Sequence, residues 1–225
     1  MKTIRWAILL ALAPASTFAQ KPANAWLVVP GSRVGPVTAG TTRSDLNAFF
    51  PKSAIEDDEM ELDEGMVQPA TFVNRRTPSE ALAIVWAGKG PQSPPLEIFL
   101  CRGHRGGACR WQVEGGMGVG TRLLDLEERN GKPFTIFGFG WDYGGNVLSW
   151  NGGKLERLDC GGRVVLTLDG ERNGRGELTT LTAEEARSIS GYQSISSADA
   201  VMRKLDPRVV DLLYQFPPRG GKPCK

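Results

Sequence analysis

The chain contains one histidine, His104. That scarcity excludes a zinc site built on histidine pairs. It also forces any Ser-His-Asp or Cys-His apparatus through a single position. GxSxG, HExxH and phosphate-loop patterns are all absent. The acidic run EDDEMELDE, residues 56 to 64, lacks the DxDxDG spacing and the glycine bend that calcium loops need. Long apolar runs are missing too. The one near the start, Trp6 to Ala13, is far too short to span a bilayer.

What stands at that start has the form of a secretory signal. Lys2 and Arg5 precede the apolar run, and Thr17-Phe18-Ala19 offers small residues at the positions a signal peptidase reads. Residues 1–19 are therefore expected to be cleaved, leaving Gln20 first and no membrane anchor. Loss of Lys2 and Arg5 leaves 25 basic residues against 25 acidic ones. A neutral chain has no broad positive field, so nucleic acid is not an expected partner. About 200 remaining residues suit one domain or two small ones.

Four cysteines, Cys101, Cys109, Cys160 and Cys224, make an even count without CxxC pairs. In an exported chain that favours disulfides over metal. Cys101 and Cys109 flank the loop RGHRGGA between two strand-like runs, which suits a local bridge; Cys160 and Cys224 would then pair. No cofactor and no metal are expected.

An internal repeat is visible at an offset of 80. Gly40, Thr41, Asp45 and Leu46 return as Gly120, Thr121, Asp125 and Leu126, and Ile84-Val85-Trp86 falls on Val164-Val165-Leu166. Each copy reads as a strand ending at glycine, a threonine, then a short helix with an aspartate in its first turn. Both aspartates are read first as capping groups. Helix one stops at Pro51 and helix two at Asn130-Gly131. Strands are expected at AIEDDEMEL, ATFVNR, ALAIVWAG, FTIFGFGW, NVLSW, KLERL, RVVLTL and VVDLLYQF. Further helices are expected from Thr182 and near Ser197. The predicted class is α+β, mainly antiparallel sheet with short helices, in two duplicated strand-helix-strands units at 20–110 and 111–225, separate or merged into one domain.

Three stretches are candidates for binding. GFGWDYGGNVLSWNGGKL, 138 to 155, is read as part of an antiparallel meander with tight turns near Gly144-Gly145 and Gly152-Gly153. Its aromatics either form core or expose Trp141, Tyr143 and Trp150 as a platform beside Asp142. Asp142 is also the one acid in a setting that suits a carboxylate-pair hydrolase. The loop CRGHRGGACR, with Arg102, His104 and Arg105, is either a rigid cationic tip for an acidic partner or a solvated connector. The acidic run 56 to 64 reads as an edge strand kept soluble by charge.

WLVVPGSRVGPVTAGTT, Glu64-Gly65, the Trp86 strand and MGVGTRLLDLEERNGKPFTIFGFGWDYGGNVLSWNGGKL together resemble a family of exported bacterial proteins of unknown function. The likeness covers most of the chain after residue 19, and residues 117 to 155 are its most specific part. It implies export and supplies no activity. The glycine-threonine-helix start is also similar, over about seven residues, to the tandem repeats of the secreted β-lactamase inhibitory protein. It resembles as well the small lipoproteins of the outer-membrane β-barrel assembly machinery, whose lipid-attachment cysteine this chain lacks. Those resemblances imply an architecture used to bind another protein. The expected function is a soluble periplasmic or secreted, non-catalytic binding protein that engages an envelope protein. The alternatives are a secreted hydrolase inhibitor, or a glycan-binding or carbohydrate-active protein using the aromatic hairpin.

Overall fold

Alternation of side chains along the strand runs sets the architecture. The computed structural model describes residues 25–102 and 108–217. The strands are β1 (Leu27–Val29), β2 (Arg33–Val34), β3 (Val37–Thr38), β4 (Ile55–Glu61), β5 (Val67–Val73), β6 (Leu82–Trp86), β7 (Pro95–Leu100), β8 (Gln112–Val113), β9 (Met117–Gly118), β10 (Thr135–Phe137), β11 (Val147–Ser149), β12 (Arg163–Asp169), β13 (Ser194–Ser196) and β14 (Arg208–Gln215). The helices are α1 (Leu46–Phe49), α2 (Leu123–Asn130), α3 (Ala183–Ser188) and α4 (Ala200–Leu205). The fold is α+β, with mostly antiparallel sheets and few, short helices. None of the described helices is long and apolar enough to cross a membrane.

A six-stranded sheet runs β12-β14-β7-β6-β5-β4, antiparallel throughout. Its inner face carries Leu82, Ile84, Ile98, Leu100, Leu166 and Leu212 into the main core. Leu123 and Leu126 of α2 and Ile136 of β10 join the same core. Two smaller sheets are ordered β3-β2-β1-β8-β9 and β11-β10-β13. The β1–β8 pairing is parallel and joins Leu27 to Gln112, so the sheets cross the 110/111 boundary.

The outer face of the large sheet is also apolar. Registers align Val165, Leu213, Phe99, Ala83 and Phe72 in one row across five strands, and Glu56 ends it on β4. The acidic run forms β4, which pairs with β5 alone and is an edge of this sheet. Its acids are the charge that keeps an open edge from pairing with another chain.

The threonine device occurs twice. Thr41 Oγ1 accepts the Thr38 N–H at 2.9 Å, and Thr121 Oγ1 accepts the Gly118 N–H at 3.0 Å. Each turn is followed by helical residues, a 3-10 turn Arg43–Asp45 running into α1, and α2. Beyond that point the halves diverge. Ile84-Val85-Trp86 lies in the middle of the large sheet, whereas Val164-Val165-Leu166 lies on the opposite edge from β4.

One expected strand is a helix. KLERL belongs to a 3-10 helix, Lys154–Asp159, because Leu155 and Leu158 sit at helical spacing and both are buried. Thr182 and Glu185 form the capping box of α3, with reciprocal bonds of 3.2 and 2.8 Å. α4 begins after Asp199, whose Oδ1 accepts the Val201 and Met202 N–H groups. Cys101 and Cys109 are bridged, Cα to Cα 5.9 Å. Cys160 is not a free thiol. Cys224 and residues 1–19 lie outside the described residues.

Candidate functional site

The loop between β10 and β11 is built on glycine. Gly138 donates to Gln193 O and Phe139 to Ile189 O, while Gly191 donates back to Phe139 O. A Cβ on Gly138 would lie 2.5 Å from Gly191 O, so only glycine lets the two backbones approach. At Gly138 the strand is thus closed over by residues 189–193, whereas the space beside Gly140 is open. Gly145 has φ +83°, and a Cβ there would lie 2.0 Å from Leu168 O. Its N–H reaches Phe137 O, and its carbonyl accepts from Leu168 N–H. The loop is therefore stitched to β10, to β12 and to the segment before β13.

The aromatics of the stretch divide into two groups. Trp150 is 1% exposed and packs on Phe134 with ring centroids 5.0 Å apart. It belongs to the core, and this corrects its place in the expected platform. Trp141 and Tyr143 stay half-buried at the surface. The indole Nε1 of Trp141 donates to Gly138 O at 2.7 Å, which fixes the ring. Phe137, Tyr143 and Tyr192 surround it at 5.3, 5.2 and 5.1 Å, each steeply inclined to it. Tyr192 also stacks over Phe137 at 6.1 Å.

Tyr192 is 83% exposed. Sequence reading missed it, because it stands alone among serines and glycines. The available signal was Gly191 before it, whose φ of +84° turns the chain toward the aromatic loop.

Asp142 is exposed, and its Oδ2 accepts the backbone N–H of Glu64 at 3.0 Å. Glu64 stands in the β4–β5 hairpin with φ +61°. The aromatic loop and the hairpin tip therefore meet.

A cleft of about 640 Å³ opens beside this junction on the outer face of the large sheet. Trp141, Asp142 and Phe139 form one wall, and Phe99, Val165 and Leu213 are among its apolar lining. Arg102 reaches the same cleft, with its guanidinium 4.6 Å from the Phe99 ring centre. Two features read separately from the sequence, the basic loop and the aromatic loop, thus converge here. His104 and Arg105 lie outside the described residues. Arg110 points elsewhere: it pairs with Glu80 at 2.7 Å and covers Trp26.

The polar lining is largely self-satisfied. Arg172 Nε donates to Asp169 Oδ2 at 2.8 Å, and this carboxylate raises the arginine's pKa. Thr167 Oγ1 donates to Asn146 Oδ1 at 2.6 Å. A second cleft of about 720 Å³ shares Asp169 and Arg172 and continues past Lys204, Asp206 and Arg208. There too charges are paired, Lys204 with Glu185 at 2.6 Å and Asp206 with Arg122. Among the described residues no three His, Cys, Asp or Glu side chains gather as a metal-holding group.

The acids of β4 are unevenly matched. Asp57 pairs with Arg43 at 2.5 Å, and Arg75 serves Asp58 at 2.6 Å and Glu56 at 3.6 Å. The Arg75 bond holds the Asp58 carboxyl below its ordinary value. Glu59, Glu61, Glu64 and Asp142 have no ion pair among the described residues.

Comparison with protein-family models, with curated proteins and with solved structures finds no match for this chain.

Proposed function

We propose that this chain is a soluble periplasmic or secreted binding protein without catalytic activity, and that it engages another protein of the cell envelope. Export rests on the signal-like residues 1–19. Binding rests on one observation above others: a four-ring aromatic cluster at the surface whose outermost ring, Tyr192, is 83% exposed. Large, rigid aromatics held by their neighbours are the side chains that carry most binding energy at protein interfaces. Tyr192 leaves most of its ring in water beside three other rings, and apolar groups gathered at a surface mark an interaction site. Inhibition of a secreted hydrolase is the specific form this reading would take.

Glycan binding is the second reading. It is supported by the neighbouring cleft, where Trp141 lines one wall and Asn146, Thr167 and Asp211 line the polar side.

One experiment separates the two. Envelope extract is passed over immobilised mature protein and over its Tyr192→Ala variant. A stoichiometric protein retained by the first and lost by the second is the expected result. Retention of the protein on peptidoglycan or oligosaccharide, without a protein partner, favours the cleft. Intact mass of the exported chain tests the Gln20 start. A retained N-terminus removes the basis for a soluble assignment.

A further inference from the structure

We infer that the cleft beside Trp141 and the cleft beside Arg208 form one groove that holds a neutral, extended oligosaccharide. The inference rests on the glycan reading of the first cleft and adds the length and the charge of its ligand.

The two clefts, of about 640 and 720 Å³, share Asp169, Arg172 and Val210, so they meet there. Strand register gives the first cleft its floor. Val165 is paired with Leu213, and Thr167 is paired with Asp211 two residues further along the same face. From Val165 to Asp169 the floor follows β12 for roughly 13 Å. The second cleft then continues past Leu205 to Arg208. A single sugar ring fills only part of this path, whereas a chain of rings fills it. The wall is the loop carrying Phe139, Trp141 and Asn146, with the indole pinned by its bond to Gly138 O.

Charge along the groove is balanced. In the first cleft Arg102 and Arg172 stand against Asp142, Asp169 and Asp211. In the second, Arg172, Lys204 and Arg208 stand against Asp169, Glu171 and Asp206. A polyanion or a polycation meets like charges along the whole path, and a neutral polymer does not. At the waist Arg172 and Asp169 are locked together. A hydroxyl group can donate to such a carboxylate and accept from such a guanidinium without changing the charge of the site. Asn146 Oδ1 accepts from Thr167, which leaves the Asn146 Nδ2 donors for a ligand. An acetamido group matches them, with its carbonyl on Nδ2 and its methyl toward Val165 and Leu213. An extended peptide is a poorer fit. Thr167 is bridged to Asn146, and the Leu168 N–H is bonded to Gly145 O, so this stretch of β12 offers no open edge for an added strand.

β-1,4-linked N-acetylglucosamine oligomers are the probe. Monomer, dimer and hexamer are titrated into the mature protein by calorimetry. Two hexamers of opposite charge serve as comparators, the deacetylated cationic form and a polyuronate. The neutral hexamer is expected to bind at least about tenfold more tightly than the dimer, and both charged hexamers more weakly than the neutral one. Glu171→Trp places bulk at an exposed position that lines the second cleft alone. It should reduce the hexamer to the affinity of the dimer and leave the dimer unchanged. Trp141→Ala should weaken every length. Melting temperature confirms that both variants fold. A hexamer no tighter than the dimer, or unaffected by Glu171→Trp, overturns the single groove and leaves the glycan reading of the first cleft in place. A charged hexamer that binds as well as the neutral one overturns the charge argument. Absence of binding at every length overturns both this inference and the glycan reading on which it rests.

Discussion

Asp142 Oδ2 and the Glu64 N–H are hydrogen-bonded at 3.0 Å across 78 positions of sequence. Both residues are exposed, so the bond adds little to global stability; an intramolecular hydrogen bond contributes on the order of 1 kcal/mol net. Its effect is alignment of two surface elements. Asp142→Ala is expected to leave unfolding free energy within about 1 kcal/mol of the parent. It should markedly accelerate exchange of the Glu64 amide proton, as followed by NMR. Unchanged exchange would show that the bond does not hold the hairpin tip.

Trp150 and Tyr192 should behave as opposites. Truncating Trp150 to alanine opens a cavity against Phe134 and is expected to cost about 3–5 kcal/mol in chemical denaturation. Truncating Tyr192, which is 83% exposed, should stay within about 0.5 kcal/mol.

The glycines of the aromatic loop are separable in the same way. Gly140 and Gly145 both have positive φ, +87° and +83°, but no heavy atom lies within 4 Å of a Cβ on Gly140. Gly140→Ala should therefore cost only the left-handed backbone strain, about 1–2 kcal/mol. Gly145→Ala adds a clash with Leu168 O and is expected to cost well over that, measured by melting of the two variants under one condition.

Closing the short loop between Cys101 and Cys109, eight positions apart, stabilises by about 2–3 kcal/mol on the chain-entropy account. The Cys101→Ser/Cys109→Ser protein should lose about that much in urea titration. Arg102 would also be freed from its fixed place over Phe99.

Local chemistry made much of this legible in advance. Seven strand runs, from the acidic β4 to β14, stood out by alternation and by turn residues. The Cys101–Cys109 bridge followed from spacing, and the α3 box from Thr182 and Glu185. What remained hidden was tertiary. Trp141 and Trp150 both stand beside glycine turns, and packing on Phe134 is what makes Trp150 core. KLERL is short and lies between two glycine turns, as a strand would, but its apolar residues are the i, i+3 pair Leu155 and Leu158, and their burial in the main core goes with the helix. Tyr192 gains its partners from a loop fifty residues away.

Acid should weaken the fold. Asp45 is held below its ordinary pKa of 3.8 by hydrogen bonds from Thr42, and Asp58 by its bond from Arg75. Glu185 lies below its ordinary 4.5 through Lys204 and Thr182. For a lowered carboxyl the stabilisation is complete above the unfolded value and is lost as pH falls through the folded one. Asp159 is raised by burial and runs the other way: its contribution is present in acid and is lost as pH rises through its folded pKa. Melting temperature is expected to fall from about pH 5 toward pH 3. Asp159→Asn should be no less stable at neutral pH and should show a steeper acid-side decline, read from melting curves across that range.

The last strand among the described residues is not at the edge of its sheet. β14 is inserted between β12 and β7, and the Tyr214 hydroxyl accepts the Gly31 N–H at 3.0 Å. A polypeptide that emerges N-terminus first, from a ribosome or a membrane pore, therefore cannot complete its main sheet until residues 208–215 have appeared. Until then β7 and β12 each present an unpaired side to their surroundings. Completion of the sheet waits for these residues, and pairings this distant in sequence make it slow once it starts. A chain truncated before residue 208 loses the strand that joins β12 to the other four strands of its largest sheet.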